Sequence, residues 1–117
     1  MDVEVDEPFW TVRRPKLTFR FTVGTEDGEP ETLDDGDVLI TGPDGEQWWA
    51  AIFSMSKLQE IMDRWRETGE SLNGGYFWAK GLVIVREPGL EGMVLAIEDL
   101  YEEYGTLDDT LPRIEPD

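Results

Sequence analysis

The chain contains neither cysteine nor histidine. Without thiols it has no disulfide, no thiolate nucleophile and no cysteine-based zinc site, and without imidazole it lacks the usual general base of Ser-His-Asp and Cys-His catalysis. No metal or cofactor is therefore expected. Basic residues are scarce as well: ten Lys and Arg stand against 27 Asp and Glu, a formal charge of −17 over 117 residues. A surface of that sign repels a phosphate backbone, so direct nucleic-acid binding is not expected either. No run of about 18 apolar residues occurs. The N-terminal MDVEVDEPFW is acidic where a secretion signal would be basic and then apolar. The expectation is a cytoplasmic protein that does not engage a membrane.

What the chain does contain is ample material for one core. Apolar residues make up 39% and aromatics 11%, five of them Trp, which is too much buriable surface for a disordered chain. A single domain over residues 1–117 is expected, with 1–8 as a loose acidic arm and 106–117 as an extended tail whose Leu107, Leu111 and Ile114 can dock.

Hydrophobic periodicity places the elements. In KLTFRFTV, residues 16–23, Leu17, Phe19, Phe21 and Val23 alternate with polar groups, which is the period of a half-buried strand. FWTVR at 9–13 reads as a shorter strand before it. DVLIT at 37–41 and EQWWAAIFS at 46–54 flank Gly42-Pro43-Asp44-Gly45 and read as a hairpin. The second arm is apolar on both faces, so it is expected either at the sheet centre or with its second face against a partner. The acidic stretch 24–37 lacks the spacing of a calcium loop and reads as solvated. At 55–69 the period changes: Leu58, Ile61, Met62 and Trp65 fall on one helical stripe, with Ser56 and Gln59 as a capping box and Gly69 as the stop. NGGYFWAKGLVIVRE, residues 73–87, reads as a turn, a short strand at 76–79, a corner at Lys80-Gly81 and a strand at 82–85 buried on both faces.

The last helix runs from near Pro88 to Gly105. Leu90, Met93, Val94, Ile97, Leu100, Tyr101 and Tyr104 form its core stripe. The fold class is α+β: an antiparallel sheet of about five or six strands with two helices packed on one face.

The other side of the last helix gathers Glu91, Glu98, Asp99, Glu102 and Glu103, with Leu95 among them. Negative charge near a helix C-terminus opposes the dipole, and Glu98/Glu102 and Asp99/Glu103 repel at i,i+4. An apolar anchor within a charged rim is an interface anatomy. These six residues, with Trp48 as an aromatic anchor, are the candidate partner-binding set; no catalytic residue is assigned. Lys80 and Tyr76 have no catalytic motif around them, and no carboxylate pair stands out from the acidic background.

The order WWAAIFSMSKLQEIMDRWRETGESLNGGYFWAKGLVIVRE, within a span of about residues 37–104, resembles small bacterial proteins on the immunity side of secreted-toxin systems. That resemblance implies a non-enzymatic protein that occludes a cognate toxin, and an acidic inhibitor suits a basic, nucleic-acid-binding active site. A basic protein partner is thus expected, with room for a homodimer. The alternative is a housekeeping or regulatory domain, bacterial or archaeal, whose acidity reflects a saline cytoplasm. Only three Lys against seven Arg fit such a halophile equally well.

Overall fold

In the computed structural model, which describes residues 1–24 and 28–114, the alternating segments are strands of one six-stranded sheet in chain order. They are β1 (Glu4–Asp6), β2 (Phe9–Arg13), β3 (Thr18–Thr22), β4 (Asp35–Thr41), β5 (Gln47–Ser54) and β6 (Leu82–Val85). Between β5 and β6 lie the helix α1 (Met55–Thr68) and the short turn α2 (Glu70–Gly74), and after β6 comes the helix α3 (Leu90–Tyr104). The α+β class stands.

Register explains the core. Trp10, Phe21, Val38 and Ala50 form one row across four strands, and Val12, Phe19, Ile40 and Trp48 form the next. All eight are buried. They share a face because side chains two residues apart on a strand point the same way. Leu90, Met93, Val94 and Ile97 of α3 close this face, together with Leu107 and Leu111 of the tail. Each fully buried aliphatic or aromatic group contributes about 1.5–3 kcal/mol relative to exposure, so this layer dominates stability.

Several expectations are corrected. β5 to β6 is parallel, so the sheet is mixed rather than wholly antiparallel. A parallel neighbour requires a crossover, and α1 supplies it. The two long helices therefore take opposite faces of the sheet instead of sharing one. Phe53, which points away from the α3 side, meets Phe77 edge-on at 5.0 Å, and Phe77 stacks on Trp65 of α1 at 5.6 Å. The N-cap of α1 is Ser54 rather than Ser56: its Oγ accepts from the Lys57 N–H at 3.1 Å. Residues 76–79 join no strand, and β6 is a sheet edge with Ile84 half exposed instead of an interior strand. The arm expected at 1–8 contains β1, paired to β2 through Val5 and Trp10.

β5 is an interior strand, next to the β6 edge. β4 lies on one side; on the other, β6 pairs with its second half and the tail with its first, through Trp49 N–H to Pro112 and Ile114 N–H to Gln47. The tail and β6 meet at Gly81, where φ is +70° and an added Cβ would stand 3.0 Å from the Trp49 carbonyl oxygen. Residues 25–27 of the expected loop and 115–117 of the tail lie outside the described residues.

Candidate interaction surface

Burial of Leu90, Met93, Val94 and Ile97 fixes the rotation of α3 about its axis. With about 3.6 residues per turn, side chains four apart then line up on the far side. Glu91, Leu95, Asp99 and Glu103 make that ridge, and all four are exposed. Leu95, 47% exposed, is an apolar group with a carboxylate one turn away on either side. No basic residue sits in the last turn of α3, and Gly105 closes the helix in the left-handed conformation.

Glu98 and Glu102 have a different situation. The Arg14 guanidinium grips Glu98 in a two-point bond, Nε to Oε2 at 2.9 Å and Nη2 to Oε1 at 3.0 Å. Lys16 Nζ donates to Glu102 Oε1 at 2.9 Å. The hydrogen bonds that Arg14 donates to Glu98 raise its pKa above the ordinary value, and the one that Lys16 donates to Glu102 does the same for Lys16. These cations come from the turn between β2 and β3 and border a depression of about 230 Å³ with Pro15, Leu17 and Tyr101. The i,i+4 repulsion expected between Glu98 and Glu102 is thus relieved by two cations about 85 residues away in sequence. Sequence spacing along one helix cannot reveal partners from another element.

Trp48 does not belong to the surface. Its ring is 1% exposed within the α3-side core, and its Nε1–H donates to Asp108 Oδ1 at 2.8 Å. A buried indole needs an acceptor, and the chain following α3 supplies one. Tyr104, expected in the core, is half exposed because the last turn of α3 extends past the packed face. Of the seven candidate residues, four form the exposed ridge, two anchor α3 to the β2–β3 turn and one is core.

Apolar groups also reach the surface elsewhere. Ile84 of β6 is half exposed on the face away from α3, and Tyr76 and Trp78 are exposed on either side of Phe77 in the chain, which packs on Phe53 of that face. The aromatic run at 76–78 was the signal, but its burial could not be read without the path of the crossover. Among the described residues, no group of three or more acidic side chains is arranged to hold a metal ion.

No family model matches the chain, and no solved structure matches it. Isoprene synthase, chloroplastic, of Pueraria montana var. lobata is 34% identical over 71 residues, which cover 54% of this chain and 10% of that protein. The chain spans about a tenth of the length of this curated relative, too small a share to transfer an activity. Among the described residues no helix is long and apolar enough to cross a membrane.

Proposed function

We propose that the protein is a non-enzymatic, cytoplasmic binding domain that uses α3 to engage a basic protein, in the manner of an immunity-type inhibitor occluding a basic toxin. The observation that carries this reading is the exposed ridge Glu91, Leu95, Asp99 and Glu103. An apolar centre supplies contact area, and the surrounding carboxylates steer an oppositely charged partner and set its orientation. The pairing of Glu98 and Glu102 with Arg14 and Lys16 supports it, because those two carboxylates are engaged within the molecule while Leu95, Asp99 and Glu103 face solvent.

Acidity imposed by a saline habitat would act on every exposed face. Here it does not: residues 55–86 hold five basic and four acidic side chains, and the rest of the chain holds five basic and 23 acidic. An uneven distribution favours recognition over habitat.

The test is affinity capture from native lysate at low and high salt, comparing the protein with the double substitution Leu95→Ala, Asp99→Arg. One stoichiometric basic partner is expected, lost at high salt and weakened at least about tenfold by the double substitution. Equal capture by both proteins would remove the ridge from the interface, and no partner at either salt would remove the reading.

A further inference from the structure

The near-neutral part of the chain carries the two most exposed of its large apolar groups, Leu72 and Trp78. Residues 71–85 carry a single charge, Lys80. Within them Leu72 is 80% exposed, Trp78 75%, Ile84 53% and Tyr76 52%. Phe77, between the two exposed aromatics, lies on Phe53, the register partner of Ile84. Phe77 therefore lies beside β6, and Tyr76 and Trp78 adjoin it in the chain.

The two edges of the sheet differ in the same sense. β1 reads Glu-Val-Asp and guards its edge with two exposed carboxylates, a device that discourages a further strand from pairing. β6 reads Leu-Val-Ile-Val and has no charge, proline or bulge to protect it. The Ala51 N–H donates to the Gly81 carbonyl at 2.9 Å, so in this parallel ladder the peptide groups of Leu82 and Ile84 face outward. Among the described residues nothing hydrogen-bonds to that outer side.

We propose that the β6 edge is covered by a second copy of the chain, with the two β6 strands pairing antiparallel about a two-fold axis and joining two six-stranded sheets into one. A two-fold contact uses the same patch twice, so each copy brings its own Ile84, Tyr76 and Trp78 to it. Charge selects the occupant. A basic foreign partner is drawn to the acidic remainder of the molecule, whereas two identical acidic molecules can meet only where their charge is balanced, and residues 55–86 are that place. Pairing there holds the two acidic remainders apart.

Sedimentation equilibrium of the full chain tests this. The expected result is a dimer at micromolar concentration whose association tightens as NaCl is added, because salt screens the residual repulsion. Ile84→Lys places a charge on the edge, and it should raise the dissociation constant at least about thirtyfold; Trp78→Ala should raise it at least about tenfold. Hydrogen exchange of the unmodified protein gives a second readout, with the Leu82 and Ile84 amides slowing as concentration rises. A monomer at every salt concentration overturns the proposal. So does a dimer that survives Ile84→Lys with Leu82 and Ile84 still exchanging freely.

Discussion

Trp48 and Gly81 show how single residues join distant parts of this chain. Trp48→Phe keeps most of the ring and removes the Nε1–H donated to Asp108. Because Asp108 is exposed and regains water, the loss should be limited to about 1–3 kcal/mol, measured by urea denaturation. Gly81→Ala meets two obstacles at once: a φ of +70° and a Cβ 3.2 Å from Pro112 Cδ as well as 3.0 Å from the Trp49 oxygen. A loss of at least about 2 kcal/mol is expected, with the tail released from the first half of β5. Lys16 supplies a pH signature. Its folded pKa is raised by Glu102, so the stability it contributes is fully present below the unfolded lysine value of about 10.4 and is lost as pH rises through the folded value. The difference in melting temperature between the protein and Lys16→Met should be constant through neutral pH and close only in strong alkali. Neither the Trp48–Asp108 bond nor the Lys16–Glu102 pair was legible in the sequence, since each joins residues separated by 60 or more positions.

At the scale of elements, caps and turns decide where the helices begin and how they leave. Ser54 is completely buried, accepts from the Lys57 N–H and bonds Asp34, so one hydroxyl caps α1 and ties it to the start of β4. Ser54→Ala should cost about 1–2 kcal/mol by thermal or urea denaturation. Ser56, with the better sequence spacing to Gln59, loses the role because β5 pairs through Ser54 and the helix begins immediately after it. The α2 turn is left-handed at three consecutive residues, Ser71, Leu72 and Asn73, with φ of 50°, 56° and 59°. Leu is costly in that region by roughly 1–2 kcal/mol, and Leu72 offsets little of it through burial. Asn tolerates the conformation without the chain entropy of Gly. Leu72→Asn should therefore stabilise the monomer by about 0.5–1 kcal/mol in the same urea assay.

Across the whole molecule, the excess of 17 negative charges works against compactness. Raising NaCl to about 1 M should lift the melting temperature by several degrees, which calorimetry at fixed protein concentration would show. Salt then has opposite effects on the two proposed contacts, weakening the α3 ridge with its basic partner and strengthening the β6 pairing. One titration distinguishes them.

The sequence by itself determined the class of the fold and the positions of β2 to β5 and of the two long helices. Alternation and helical spacing are local and follow from backbone geometry alone. It also placed Glu91, Leu95, Glu98, Asp99, Glu102 and Glu103 together on the side of α3 away from its core stripe, but only the β2–β3 turn separates Glu98 and Glu102 from the exposed four. Only the tertiary structure decided that β6 runs parallel to β5, that α1 and α3 take opposite faces, and that Trp48 is core while Trp78 is surface. Those outcomes depend on which elements become neighbours. Two apolar runs such as WW at 48–49 and YFW at 76–78 look alike in sequence, and only the strands and helices packed against them distinguish one from the other.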